Sequence, residues 1–172
     1  TSPKLEGIIG KGYVGGKNYD LAALQGVGGG HDIGDIFGSA VSLNGNRLAV
    51  GAPYDWGAGS AARAAGAVYL FSFTDSVFTG ANLEAKIGFG YSGGKNYSPS
   101  NLETGDQFGQ SVSLDGNRLA VGAMAERGFA NAYPGNTVGA VYLLSFSDSS
   151  FSAPTLEGII GKGYSGGKNY DV

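Results

Sequence analysis

Apolar and polar residues alternate with a period of two through short runs, each closed by glycine or a polar turn. The first run is SAVSL (Ser39 to Leu43), which returns as QSVSL (Gln110 to Leu114). Asn44-Gly45 or Asp115-Gly116 follows, a dipeptide that predicts a tight type I′ hairpin, because both central positions of that turn need positive φ. The second run, RLAVGA, occupies Arg47 to Ala52 and Arg118 to Ala123. Leu48 and Val50 share one face, while Ala49 and Gly51 put small atoms on the other, where a second sheet can come close. The third, AVYLFSF (Ala67 to Phe73), is apolar on both faces and predicts a strand covered on both sides. After a polar turn (Thr74-Asp75-Ser76 or Ser147-Asp148-Ser149), Leu83, Ala85 and Ile87 alternate with Glu84 and Lys86. That alternation predicts an outer strand with one wet face.

These runs belong to a repeat. Asp35 to Ala52 and Asp106 to Ala123 are identical at fourteen of eighteen positions. Ala67 to Phe73 returns at Ala140 to Phe146 as AVYLLSF. A closing element occurs three times: LEGIIGKGYVGGKNYD (Leu5 to Asp20), LEAKIGFGYSGGKNY (Leu83 to Tyr97) and LEGIIGKGYSGGKNYD (Leu156 to Asp171). Its glycine-rich second half predicts a connector that crosses to the next unit. Residues 1–20 therefore read as the closing strand and connector of a preceding unit, 21–97 as one repeat and 98–172 as a second. Tandem self-similarity of this kind marks an array. Four antiparallel strands per unit with both faces covered predict an all-β fold of β-propeller-like blades, completed by oligomerisation or by a longer array.

Composition narrows the function. Among 172 residues, 33 are glycine and only 15% are charged, which argues against a helical bundle. The chain has no cysteine, which excludes a disulfide framework and thiolate metal sites. A net charge of −3 has the wrong sign for a nucleic-acid footprint. No apolar run reaches the ~20 residues that span a bilayer, and Thr1 opens no recognisable signal peptide, so a mature or excised soluble segment is expected.

GKGYVGGKNY invites comparison with a phosphate loop, but that pattern needs Ser or Thr after Gly-Lys, where Asn18 stands, and a following helix. A structural connector is the better reading, with Lys17, Lys95 and Lys168 and Tyr19, Tyr97 and Tyr170 available for contacts between units. His31, Asp32 and Asp35 form a cluster with weak cation-binding character. Asp35 and Asp106 precede Phe-Gly in the same way in both repeats, which favours a turn-forming role. Tyr54, Asp55 and Trp56, with Glu126 and Arg127, lie in the long loop after the second strand. Such loops carry ligands, and a tryptophan beside an aspartate suits a sugar. Neither a G-x-S-x-G nor a paired-carboxylate motif occurs, so no catalytic residue is expected.

Phe37-Gly38 followed by Gly51-Ala52-Pro53 spells FG…GAP, and Phe108-Gly109 with Gly122-Ala123-Met124 is a variant copy. The chain thereby resembles the FG-GAP repeats that build integrin α-subunit propellers. It is also similar to the versions in large, repetitive bacterial surface proteins of the filamentous-haemagglutinin type. The resemblance implies β-propeller blades. Many such blades carry a DxDxDG calcium loop between the halves of the signature. Here that place holds only Leu43-Asn44-Gly45-Asn46 or Leu114-Asp115-Gly116-Asn117, too few oxygens for calcium. No metal or cofactor is expected.

Two blades cannot close a ring. The expected function is a structural or adhesive repeat module of a secreted or cell-surface protein, assembling head to tail into a propeller, superhelix or fibre. Its partners would be further copies of itself or of the repeat, with a glycan or surface protein as a further candidate, and neither nucleic acid nor membrane insertion. Leu5, Ile8, Ile9, Leu156, Ile159 and Ile160, with Lys17, Tyr19, Lys168 and Tyr170, are the expected assembly contacts. The rival expectation is a lectin-like or protein-binding propeller using its variable loops.

Overall fold

A computed structural model describes residues 2–23 and 34–172. Two four-stranded antiparallel meanders account for most of them. The first sheet runs β3 (Ala40–Asn44), β4 (Arg47–Ala52), β5 (Ala67–Ser72) and β6 (Asn82–Gly88) in spatial order. The second runs β7 (Phe108–Asp115), β8 (Arg118–Ala123), β9 (Ala140–Ser145) and β10 (Thr155–Gly161) in the same order. Ahead of them, β1 (Ile9–Gly10) and β2 (Tyr19–Asp20) form a short parallel pair. The described helical structure is confined to short 3₁₀ turns. The all-β expectation and the blade-like meanders hold, and neither sheet closes on itself.

Three local expectations need correcting. Asn44 pairs with Arg47 and Asp115 with Arg118, so the turn residues are Gly45-Asn46 and Gly116-Asn117. Only the glycine of each has positive φ, 59° and 53°. This is the glycine-first hairpin, not the type I′ turn that Asn-Gly predicts.

The outer strand does not keep one wet face. Leu70 pairs with Ala85 and Phe71 with Leu83, so Glu84 bulges out of register. The bulge turns Leu83 toward the opposite face from Ala85 and Ile87. Lys86 instead lies over the rings of Tyr69 and Tyr91. The second sheet repeats the bulge at Glu157, between Leu156 and Gly158.

The glycine-rich connector first folds back on its own strand. Asn18, Asn96 and Asn169 each accept a 2.8 Å bond at Oδ1 from the backbone N–H of Ile8, Lys86 and Ile159 respectively. The following tyrosine N–H donates to the same residue's carbonyl. Parallel pairing of Ile9 with Tyr19, Ile87 with Tyr97 and Ile160 with Tyr170 results.

The sheets stack face to face. Each has a front face (Leu48, Val50, Tyr69 and Phe71 in the first; Leu119, Val121, Tyr142 and Leu144 in the second). Each has a back face (Ala49, Gly51, Val68 and Leu70; Ala120, Gly122, Val141 and Leu143), as the alternation along the paired strands requires. The back of the first sheet lies on the front of the second, with β7 against β3 and β4. The closing element at the front, Leu5 to Asp20, covers part of the first sheet's front face. Ile9 and Tyr19 pack there against Val50, Tyr69 and Phe71, with the Tyr19 and Phe71 rings edge to face at 5.4 Å.

Candidate functional site

The junction between the two sheets shows what each face is built to meet. Ala49, Gly51 and Gly66 carry little or no side chain, and Phe108-Gly109 uses the space. A Cβ on Gly51 would stand 1.9 Å from the Gly109 carbonyl oxygen, and one on Gly66 would stand 2.0 Å from that of Phe108. Gly109 itself sits at φ 94° with its back to the Ala67 carbonyl, a conformation open to glycine. Backbone bonds cross the junction from Gln107 N–H to Ala64 (3.0 Å) and from Phe108 N–H to Ala65 (2.9 Å). Ser42 Oγ accepts the Leu114 N–H at 2.9 Å, and the Arg47 guanidinium lies over the Phe151 ring. Backbone contact at this range needs glycine on both sides.

Among the described residues, the same surfaces recur at the two ends with less to cover them. Val68 is fully buried and its counterpart Val141 is 38% exposed; Ala65 is fully buried and Val138 is 41% exposed. A Cβ on Gly139, the counterpart of Gly66, would meet nothing closer than 3.6 Å. At the other end Leu114 is 5% exposed and its counterpart Leu43 is 51% exposed. A Cβ on Gly38, the counterpart of Gly109, would meet nothing at all within 4 Å. The second sheet's back face carries a hollow of about 530 Å³ lined by Ser113, Ala120, Leu143 and Lys168 among others. The first sheet's front face carries one of about 430 Å³ between the front closing element and Phe37, Val41, Leu48 and Phe78. Open apolar sheet faces of this kind are unusual on a solitary soluble molecule.

Of the expected contact residues, Ile9 and Tyr19 lie on the front of the first sheet, and Leu156 and Ile159 lie within the filled junction between the sheets. Leu5 is 75% exposed, Ile8 and Ile9 are half-buried, and Tyr19 is held on Phe71. In the last copy Ile159 is buried, Leu156 and Ile160 are half-buried, and Tyr170 is exposed. Lys17, Lys95 and Lys168 pair with Glu6 and with the bulge residues Glu84 and Glu157 of their own elements. Lys17 also reaches the Val77 carbonyl in the first sheet's outer turn at 2.5 Å. These pairs hold Glu6 and Glu157 below the usual carboxylate range, with Lys17 and Lys168 the foremost causes. Sequence reading gave Glu84 only a place on a wet face and passed over Glu6, Glu157 and the clamping role of the asparagines. Their recurrence at the same place in all three elements was the available signal.

The loop residues have other duties. Asp55 and Glu126 are buried. Asp55 accepts from Tyr69 Oη (2.6 Å), Tyr91 Oη and the Gly57 N–H. Glu126 accepts from Tyr164 Oη (2.9 Å) and the Gly128 N–H. Each acid thus ties the long loop to the closing element of its own blade. Burial, then the charge of Asp55, pushes the Tyr91 hydroxyl up. Tyr54 is exposed, Trp56 is half-buried with Arg63 over its ring, and Arg127 donates to the Thr104 carbonyl.

Asp35 and Asp106 are both pushed up to about 6, first by burial. The next influence is Asp55 for the former and the opposing Glu103 N–H hydrogen bond for the latter. Their carbonyls accept from Tyr54 and Ala125 N–H in the same way. His31 and Asp32 lie outside the described residues.

Among the described residues, no group of three or more His, Asp or Glu is placed to hold a metal ion. The family's calcium position does not fit a cation here. It is a two-residue hairpin whose Asn44 Oδ1 accepts from Arg47, and whose Asp115 pairs with Arg118 in the second copy. Nor, among the described residues, is any helix long and apolar enough to cross a membrane.

Comparison with known families agrees with this architecture. The family model for the FG-GAP repeat matches residues 29–71 and 97–144, each match running from ahead of the Phe-Gly pair into the third strand. No curated protein matches the chain.

Proposed function

The chain belongs to the FG-GAP repeat family, and from that premise we propose that it is a structural or adhesive repeat module whose sheets associate with further blades of the same kind. One observation carries the reading. The apolar faces that meet between the two sheets recur at the ends of the described structure, exposed at Val138 and Val141 on the back of the second sheet and at Val41 and Leu43 on the front of the first, whose centre residues 5–20 cover. Burying apolar surface stabilises association by roughly 25 cal/mol per Å² before ordering costs, so faces of this composition favour a blade on either side. The module acts by surface complementarity and not by catalysis, its buried acids being occupied with tyrosines and backbone N–H groups. A secreted or cell-surface setting follows from the same proposal, in the manner of large repetitive surface proteins of the filamentous-haemagglutinin type.

Sizing by light scattering across a dilution series tests the reading. Mass that rises reversibly with concentration supports it, and mass that stays at one chain throughout defeats it.

A second reading has its own observation. A polar cleft of about 250 Å³ opens beside Ser100, Asn101, Glu103 and Asn131, with the exposed Phe129 ring at its edge. Polar side chains beside an aromatic ring suit a sugar. Binding on a glycan array that is lost in Phe129→Ala favours this lectin-like use of the loops.

A further inference from the structure

The closing elements Leu5 to Asp20 and Leu156 to Asp171 are identical at fifteen of sixteen positions, yet the fold uses them differently. Leu156 to Asp171 completes its own sheet. Thr155–Gly161 pairs with β9 along its length, Ile159 and Tyr164 are buried, and Tyr164 is bonded to Glu126. Leu5 to Asp20 belongs to neither four-stranded sheet. Its Tyr13, the counterpart of Tyr164, is 46% exposed. It lies instead on the first sheet's front face.

The middle element shows what that position means. Ala85, Ile87, Phe89 and Tyr97 of the first blade pack in one cluster with Val121, Tyr142 and Leu144 on the front of the second. A blade seated on a front face therefore brings its own closing element to the place that Leu5 to Asp20 holds on the first sheet.

We infer that a second copy of this chain docks its open back face onto the front face of the first sheet, and that residues 5–20 must leave for it to do so. In that junction Phe37-Gly38 of one copy enters at Gly122 and Gly139 of the other, as Phe108-Gly109 enters Gly51 and Gly66, with the Ser111 hydroxyl that stands over Gly122 turned aside. Tyr170 of the incoming blade takes the place of Tyr19 on Phe71. The incoming element keeps its ladder with β9 and replaces a segment of the same sequence. The front element is the one to yield, because it has no ladder to lose beyond its own two-residue pair. Residues 5–20 are thus a self-cap that competes with the partner for one seat. The inference rests on the association proposed above and adds its polarity, its register and its competitor.

The test compares four chains by sedimentation velocity over a concentration series: the intact protein, a variant lacking residues 1–20, Val141→Lys, and the truncation combined with Val141→Lys. Removing the cap lowers the concentration needed for association by roughly tenfold, as expected where a closed competing state is about 90% populated. Val141→Lys, on the open back face, abolishes association with or without the cap. If the truncated chain fails to fold, Tyr19→Ser in the full chain loosens the same element and shifts association in the same direction. An intact protein that associates in a Val141-dependent way but gains nothing from truncation or from Tyr19→Ser overturns the self-cap and leaves the association standing. Association of the truncated chain that survives Val141→Lys is nonspecific clustering and also overturns the inference. A single-chain mass for every variant at all concentrations defeats the association and the self-cap together.

Discussion

Gly51→Ala is the sharpest perturbation of the junction between the sheets, because its twin can be made in the same molecule. Gly51 does not require positive φ, so alanine costs nothing in backbone conformation there. The cost is contact. The new methyl would lie 1.9 Å from the Gly109 carbonyl oxygen, a backbone atom, and Gly51 is fixed in the ladder between Ala40 and Val68. The sheets would have to part by about an ångström, and a gap of that size forfeits roughly a quarter to a half of each dispersion contact it opens. Ala49, Val68, Leu70 and Ile87, all essentially without exposure, sit in the affected layer. Overpacking of this kind costs about 3 kcal/mol, or about 6–12 °C in Tm for a chain of this size.

Gly122 occupies the same position in the second sheet, where the new methyl meets only Ser111 Oγ, the end of a rotatable side chain. Gly122→Ala is expected to change stability by less than about 1 kcal/mol, helped by the lower entropy of the unfolded chain. Urea unfolding of both variants at high dilution, where copies are apart, reads the difference. Equal losses in the two variants, or a larger loss for Gly122→Ala, would refute the argument that backbone contact between blades sets the residue type.

Further outcomes follow from the buried polar groups. Tyr164→Phe removes a donor from buried Glu126 and is expected to cost about 1–3 kcal/mol in urea unfolding, whereas Tyr13→Phe, at the exposed counterpart, costs nothing measurable. Asn96→Ala releases the Lys86 N–H from its clamp and should lower stability by about 1 kcal/mol, with faster hydrogen exchange at that amide. Asp35 and Asp106 have folded pKa values raised to about 6. The folded state therefore holds protons that the unfolded state has released, and their stabilisation is complete below the unfolded value near ~3.9 and lost as pH rises through about 6. Thermal unfolding should show Asp106→Asn flattening the decline between these limits by about 1–3 kcal/mol, and an unchanged slope would contradict the assignment.

The meanders were legible because a period of two, written twice with the same turns, leaves few other arrangements. Small Ala49 and Gly51 also announced the close approach of a second sheet, which the Gly109 carbonyl supplies. The bulge at Glu84 was hidden because Leu-Glu-Ala-Lys-Ile alternates without fault. Only pairing with β5 shows that one residue is extra. Asp55 and Glu126 read as loop acids available to a ligand because their partners, Tyr91 and Tyr164, lie more than thirty residues away in the closing element. The hairpin type was misread for a local reason: Asn44 is drawn into the ladder opposite Arg47, which moves the turn one residue onward. The connector folds back because its asparagine offers a strand N–H a closer acceptor than a neighbouring unit does.

Solvent protection at Val141 and Leu43, followed by side-chain footprinting of the intact protein from high dilution to high concentration, addresses the open faces most directly. Both residues are exposed in the single chain, on the back of one sheet and the front of the other. Joint loss of labelling at both as concentration rises, with Tyr54 on a loop unchanged, is the predicted result. Labelling of Val141 and Leu43 that stays constant at every concentration, or protection of only one of the pair, would contradict the complementary seating of one copy on the next.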